Sequence, residues 1–320
     1  MSSSTAAPHG VRTLDPPLVQ EVSDGVYAYV QPDGTWWINN TGFLVGRSRA
    51  AAIDACATEA RTRAFLEAVA SVTPAPVRTL VNTHHHGDHT HGNSLFGDAV
   101  IVAHERTREE VIAEGRPGTS ELIRSGAWEP TEWGDLQVAP PFLTYTTGVD
   151  LWVDDLRCQV RYTGGPAHST NDSIVWIPER KVLFAGDLLF NGGTPFLLAG
   201  SVAGALEAVA ALKDLGAETI VPGHGPVCGP EVIDDVLAYL RFVSDLAADA
   251  VRSGTDPLEA ARSTDLGAFA GLTDAERLVG NLHRACAELL GTEPGGVIDF
   301  ARALADMRAY NGGRPLSCLA

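Results

Sequence analysis

Residues 77–93 read VRTLVNTHHHGDHTHGN, so an apolar, strand-like run leads directly into a dense cluster of histidines. Five of the ten histidines in the 320-residue chain lie between His84 and His91, with Asp88 among them. Imidazole and carboxylate groups are common nitrogen and oxygen ligands of zinc and related metals. The cluster therefore predicts a metal site at the end of a strand.

The spacing within this cluster suits two metal ions. Side chains two residues apart in an extended segment point the same way, so His84 and His86 can offer two imidazoles to one ion. Gly87 permits a sharp turn, after which Asp88 and His89 can face a second, neighbouring ion.

Three more candidate ligands, His168, Asp187 and His224, each follow a predicted strand and lie in turns rich in Gly or Pro. Loops at strand ends are where a rigid scaffold commonly collects functional groups. Together with the first cluster they supply five histidines and two aspartates, a set that suits two metals with a coordination position open for water. We expect two zinc ions, although iron and manganese accept the same ligands.

The stretch from His84 to His89, followed by His168, Asp187 and His224, resembles the metallo-β-lactamase-fold hydrolases. The similarity covers roughly residues 20–230, and the ligand positions occur in the expected order. The resemblance implies an α/β fold, a four-layer αββα sandwich with the site at one edge of its two sheets. The ligand sets that it implies are His84, His86 and His168 for the first metal, Asp88, His89 and His224 for the second, and Asp187 as the bridge.

The resemblance also separates subfamilies. β-Lactamases of this fold generally lack the bridging aspartate, so Asp187 favours the glyoxalase-II-like branch of thioesterases, lactonases, phosphodiesterases and iron-containing dioxygenases. The segments 191–206 and 276–291 are similar to cyclase/thioesterases of bacterial aromatic polyketide pathways, which are thought to release a polyketide from its acyl carrier.

These ligands predict a dinuclear metal-dependent hydrolase in which a metal-bridging hydroxide attacks a thioester or ester carbonyl. Asp88 is the catalytic candidate, because this ligand could also orient the hydroxide. A thiolate leaves without a strong general acid, whereas an amide nitrogen must be protonated. The alternatives are a glyoxalase-II-like or lactone hydrolase, an iron-dependent sulfur dioxygenase, a β-lactamase-like amidohydrolase, a phosphodiesterase and a metal-stabilised binding protein.

Composition restricts partners and location. Forty acidic against 23 basic residues give a net charge of −17, which repels nucleic-acid phosphates. The only lysines are Lys181 and Lys213, which counts against an anionic glutathione thioester. The first residues lack the features of a signal peptide, no run suits a membrane span, and the five cysteines are scattered. We expect a cytoplasmic enzyme whose small acyl substrate is free or attached to a carrier protein.

Three regions follow from the pattern of the chain: a flexible leader over residues 1–17, a catalytic domain over 18–230 and a helical region over 231–320. The last region contains four helical runs, the final one expected over 295–307, and their apolar faces could pair in an oligomer. Residues 116–147 are irregular and contain Trp128 and Trp133. Such a long segment is typically functional or an insertion over a site.

Several aromatic and polar residues are candidates for substrate contacts. Trp36 and Trp37 lie in a predicted hairpin beside the site, where they could pack in the core or cover an apolar, flat substrate. Asn40, like Asn39, could hold a turn or donate to an oxyanion.

The remaining histidines and one cysteine have simpler interpretations. His85 should point away from its neighbouring ligands and pack or support them, and Cys228 should be a small buried residue. His91 and His104 are interpreted as helix-cap or surface residues.

Overall fold

A computed structural model of the chain describes residues 14–119 and 121–320. Most of the predicted leader lies outside the described residues, and the first strand begins at Leu18. Whether residues 17 and 230 are domain boundaries stays a prediction.

The strands belong to two sheets, each in consecutive order. The first sheet contains β1 (Leu18–Ser23), β2 (Val26–Val30), β3 (Thr41–Val45), β4 (Ala50–Ile53), β5 (Val77–Val81), β6 (Val100–His104) and β7 (Leu143–Tyr145). It is antiparallel as far as β4 and parallel from β4 to β7. The second sheet contains β8 (Gly148–Val153), β9 (Leu156–Tyr162), β10 (Ser173–Ile177), β11 (Val182–Phe190) and β12 (Thr219–His224), with only β11 and β12 parallel.

Nine helices accompany the sheets in the described part of the chain. They are α1 (Glu59–Val72), α2 (Gly87–Thr90), α3 (Glu105–Glu114), α4 (Glu121–Arg124), α5 (Val202–Ala211), α6 (Glu231–Ser253), α7 (Pro257–Ser263), α8 (Arg277–Leu289) and α9 (Phe300–Tyr310). No helix among residues 14–119 and 121–320 is long and apolar enough to cross a membrane.

Three hydrophobic clusters confirm the four-layer αββα sandwich. Leu44 and Ile53 of the first sheet meet Val160 and Phe184 of the second in the central cluster. Phe65 of α1 packs on the outer face of the first sheet. The third cluster joins the outer face of the second sheet to helices α5, α6 and α8. The C-terminal helices therefore share a core with the predicted catalytic domain.

Local sequence explains where the helices begin. The Thr58 side chain accepts from the Arg61 amide and caps α1, and Ser201 caps α5 in the same way. The last helical run was expected over 295–307, but α9 begins only at Phe300. This expectation was wrong because Gly295 has a φ of 71°, which a helix does not allow. The Asp299 side chain accepts from the Arg302 amide as the N-cap, so the helix starts at the next residue.

The shared core predicts that a cavity made in α6 weakens the whole molecule. Replacing Leu240, which is 1% exposed, by Ala should lower the free energy of unfolding by about 2–5 kcal/mol. Urea denaturation followed by circular dichroism measures this loss. Leu290→Ala, at a 75% exposed position, is the control and should stay within about 0.5 kcal/mol. Equal effects of the two substitutions would contradict the shared core.

Candidate metal centre

The seven predicted ligands meet at one edge of the two sheets. His84, His86, Asp88 and His89 lie directly after β5 and in α2, and His168 lies in the loop between β9 and β10. His224 is the last residue of β12. Asp187 lies within β11, where the pairing register shifts on both sides of Gly186. The structure thus places Asp187 and His224 in the strands themselves, close to the predicted strand ends.

The first group contains His84, His86, His168 and Asp187, whose ligand atoms all lie within 4.8 Å of one another. His168 Nε2 is 2.8 Å from His86 Nδ1 and 3.3 Å from Asp187 Oδ2. His84 Nε2 lies 4.0 Å from the same carboxylate oxygen. These are the residues that the resemblance assigned to the first metal and to the bridge.

The second group contains Asp88, His89, His224 and again Asp187. His89 Nε2 is 3.0 Å from Asp187 Oδ1, and His224 Nε2 is 3.2 Å from Asp187 Oδ2. His224 Nε2 also lies 3.3 Å from Asp88 Oδ2. Asp187 is therefore shared by both groups, as a bridging ligand must be.

Unpaired buried atoms show that these groups fit metal ions. His84 Nε2 is buried without a hydrogen-bond partner, and His89 Nε2 and Asp187 Oδ1 face each other at 3.0 Å without the geometry of a hydrogen bond. A buried polar atom without a partner costs about 1–3 kcal/mol, so several at one point indicate a site for a ligand. Imidazole nitrogens and carboxylate oxygens suit zinc, iron or manganese. The donor set therefore fits a dinuclear metal site.

Burial and neighbouring charges shift the pKa values of the histidines in opposite directions. Burial lowers the pKa of His84 and His86 well below the usual value, which keeps them in the neutral form that binds metals. Burial also disfavours the charged form of His89, but Asp187, Asp88 and Asp54 outweigh it and raise its pKa well above the usual value. A metal ion must displace that proton, so metal affinity should fall as the pH decreases.

Asp54 is a functional residue that the sequence analysis missed. It follows β4 in the left-handed backbone region, with a φ of 60°. Its Oδ2 lies 2.9 Å from His89 Nδ1 and accepts from the Thr83 hydroxyl, while Oδ1 accepts from the Thr83 amide. Asp54 thereby orients a ligand. The available signal was an aspartate directly after the apolar run AAAI of residues 50–53.

A cavity of about 560 Å³ opens onto the metal groups. Its walls include the ligands His86, Asp88, His168, Asp187 and His224. The rest of the wall includes an aromatic part and a charged part. The aromatic part comes from Trp36, Trp37, Trp128, Phe190, Phe196 and Phe300, and the charged part from Glu110, Glu114, Arg277 and Arg284. A large apolar pocket with a few convergent polar groups is the common form of a small-molecule site.

Trp36 and Trp37 both line this cavity and both pack in an aromatic cluster. The Trp36 indole donates to Glu276 Oε1 at 2.7 Å, and the Arg277 guanidinium lies 4.2 Å above its ring. Trp37 meets Trp133 edge-on at 4.9 Å. The structure therefore shows the packing alternative of the sequence analysis, and both residues also line the cavity, but their role in covering a substrate stays a prediction.

Asn40 does not line the cavity, so its assignment as a substrate-binding residue is corrected. Its amide nitrogen donates to the carbonyls of Pro222 and Gly225, and its oxygen accepts from the Gln31 amide. These bonds occupy the amide in holding the turn around His224. Asn40 is a turn residue rather than an oxyanion donor.

The structure also shows the surroundings of three histidines that were not predicted as ligands. His104 caps α3, as expected, by accepting from the Arg106 amide. His85 lies in neither metal group and is bonded to Asn171. His91 is the C-cap residue of α2, in line with the helix-cap expectation. It is buried against Trp37, with its Nε2 3.3 Å from Glu114, and does not lie at the surface.

Comparisons with known proteins agree with this geometry. The family model described as the Metallo-beta-lactamase superfamily matches residues 34–224, more than half of the chain. A Metallo-beta-lactamase type 2 from Bacteroides fragilis is 26% identical over 71% of this chain and 87% of its own length. The solved structure of a metallo-beta-lactamase from Pontibacter korlensis is 19% identical, with a TM-score of 0.56 over 70% of this chain and 99% of that one.

Two further relatives cover less of the molecule. Human Acyl-coenzyme A thioesterase MBLAC2 is 29% identical over 47% of this chain and 57% of its own length. A Hydroxyacylglutathione hydrolase from Rhodospirillum rubrum is 27% identical over 60% of this chain and 64% of its own length.

The packing of Gly223 against the shared carboxylate generates the first prediction for the site. A Cβ at Gly223 would lie 1.9 Å from Asp187 Oδ1, so Gly223→Ala must displace this carboxylate. Both metal ions should be lost together, as measured by metal analysis of the purified protein. Gly271→Ala, with open space around its Cβ, is the matched control. Full metal content in Gly223→Ala would contradict the sharing of Asp187.

The contact between Asp54 and His89 generates a second prediction. Asp54→Asn keeps a residue type that tolerates the left-handed backbone but removes the carboxylate charge. Metal affinity of the second group should fall about 10–100-fold, as measured by competition with a chromophoric chelator. A control is Asp150→Asn, because Asp150 pairs with Arg157 and Arg161 of its own sheet, away from the metal groups. An unchanged affinity in Asp54→Asn would refute the orienting role.

Proposed function

Because the chain belongs to the metallo-beta-lactamase superfamily, whose members are metal-dependent hydrolases, we propose that it cleaves thioesters or esters of a bulky apolar acyl group. One observation carries the proposal: the carboxylate of Asp187 is shared by two groups of metal ligands at the wall of an aromatic cavity.

The residues divide the work as follows. His84, His86 and His168 would hold one metal ion, Asp88, His89 and His224 would hold the other, and Asp187 would contact both. When bound, the two ions, which we propose to be zinc, supply Lewis acidity and lower the pKa of a water molecule. Asp88 lines the cavity with an 11% exposed side chain, so its carboxylate can accept a hydrogen bond from a water molecule beside the substrate carbonyl.

The cavity walls favour a large and flat acyl group. Trp36 meets Trp128 and Phe196 edge-on, with ring centroids 5.5 Å and 4.9 Å apart. Aromatic walls of this kind bind planar apolar ligands through stacked and edge-on contacts. The aromatic polyketide implied by the resemblance of segments 191–206 and 276–291 is the acyl group that we propose, and both segments contribute residues to the cavity.

A thioester is the preferred bond for two reasons. The thiolate leaves without protonation, whereas an amide nitrogen needs an acid, and every side chain of the two metal groups is a candidate metal ligand. Two relatives also carry thioesterase names, the Acyl-coenzyme A thioesterase and the Hydroxyacylglutathione hydrolase. We therefore propose an acyl substrate that is free or attached to a carrier protein. The five cysteines are all free, which supports a cytoplasmic location.

A β-lactamase-like amidohydrolase is the second candidate, because the Bacteroides fragilis relative matches 71% of the chain. Cleavage of a β-lactam amide in preference to thioesters would favour it. Iron in place of zinc, with oxygen consumption, would favour the sulfur dioxygenase.

The test is hydrolysis of N-acetylcysteamine thioesters of acetate, octanoate and 2-naphthoate, with nitrocefin as the β-lactam and metal content measured in parallel. We expect the highest kcat/KM for the naphthoyl thioester and about two zinc ions per chain. Asp187→Ala should lower the zinc content and decrease kcat/KM by at least about 100-fold. Asp150→Ala is the control and should retain both.

Turnover of nitrocefin alone would replace the thioesterase with the amidohydrolase. Full zinc content and turnover in Asp187→Ala would remove the basis of the proposal.

A further inference from the structure

Helix α8 carries three polar side chains that are almost completely buried. Arg277, Asn281 and Arg284 are 1%, 0% and 1% exposed. Their spacing of four and three residues places them on one face of the helix. Buried polar groups at this density must be matched by partners, and the identity of those partners connects the helix to the metal centre.

Most of their hydrogen bonds go to one irregular segment, Thr194–Leu198, between β11 and α5. The other partners are Asp274 for Arg277, the Tyr239 hydroxyl for Asn281 and the Gly296 carbonyl for Arg284. Its hydrogen bonds to the helix are Arg277 Nη1 to Thr194 O at 3.0 Å, Asn281 Nδ2 to Pro195 O at 2.8 Å, Leu197 N to Asn281 Oδ1 at 2.8 Å, and Arg284 Nε and Nη2 to Leu198 O at 3.0 and 2.7 Å. Thr194 is also bonded to Thr273, just before α8. Side chains of the C-terminal region thus bond the backbone groups of this irregular segment, which a neighbouring strand would bond in a sheet.

Phe196, the remaining residue of the segment, packs its ring against α8 beside Gly280 but turns its carbonyl toward the metal centre. Its carbonyl accepts from His168 Nδ1 at 2.5 Å. A bond at Nδ1 fixes the tautomer and the direction of an imidazole and leaves Nε2 free as a ligand. His168 Nε2 is the atom that faces His86 and Asp187 in the first metal group.

We propose that α8 is a positioning element of the metal centre: Asn281 and its flanking arginines fix the Phe196 carbonyl, which holds His168 in its ligating orientation. The inference rests on the metal-binding part of the proposed function and not on the substrate. The arginines suit this task because hydrogen bonds from a charged donor are about twice as strong as neutral ones.

The proposal predicts an effect on one metal only. His89 of the second group is oriented by Asp54, which lies in another part of the fold. Loosening the segment should therefore weaken the first group and leave the second intact. A helix that only stabilised the fold would affect both groups alike.

The experiment is a titration of the purified full-length protein with zinc against a chromophoric chelator, which yields a dissociation constant for each metal. The variants are Asn281→Ala, Arg284→Met and the conservative Arg284→Lys. His168→Ala marks the step that belongs to the first group, and Asp54→Asn marks the second. Tyr239→Phe is the matched control, because the Tyr239 hydroxyl is the other partner of Asn281 and lies on α6.

We expect Asn281→Ala and Arg284→Met to weaken the first step about 10–100-fold and to leave the second unchanged. Arg284→Lys should lose less zinc affinity at the first step than Arg284→Met. Tyr239→Phe should retain a zinc affinity close to that of the wild type at both steps. Absorption bands of the cobalt-substituted protein should change in the same two variants, since they report the ligand geometry.

Equal weakening of both steps, or an effect of Tyr239→Phe as large as that of Asn281→Ala, would overturn the proposal. If Asn281→Ala does not fold, Arg284→Met and Arg284→Lys decide the question by themselves. No substrate enters this titration, so a failure of the proposed thioesterase activity would show separately, in the turnover assay.

Discussion

The shared carboxylate of Asp187 is the constraint on which the centre depends, because both metal groups need it at one point. Two parallel strands must bring it there. Gly186 turns the backbone of β11 in the left-handed region, with a φ of 52°, and Gly223 of β12 leaves the space that a side chain would fill. The close approach of β11 and β12 is thus part of the chemistry as well as of the sheet.

The resemblance carried by His84–His89, His168, Asp187 and His224 implied the sandwich that the structure has, and it named the seven residues that the structure brings together. The histidine spacing is local, and polar residues after apolar runs mark strand ends. Asp54 was not predictable in this way, because its role depends on a contact with His89, 35 residues away, and on a left-handed backbone. Asn40 was misassigned for a related reason: its partners at Pro222 and Gly225 are distant in sequence. The beginning of α9 depended on Gly295, which helical periodicity does not detect.

The walls of the cavity come partly from the region that the family model matches and partly from residues beyond it. The family model ends at residue 224, whereas Arg277, Arg284 and Phe300 of the wall lie beyond it. Helices α6 and α8 share a hydrophobic core with the second sheet. The metal ligands therefore lie in the matched region together with most of the aromatic wall, and residues beyond that region complete the cavity.

The aromatic wall has an optical consequence. Three of the six tryptophans of the chain, Trp36, Trp37 and Trp128, line the cavity. Their indole rings are in mutual contact, and one of them carries a guanidinium above its face. A molecule that enters the cavity changes the polarity around these rings. The intrinsic tryptophan fluorescence of the protein therefore reports binding in the cavity without a dye and without turnover.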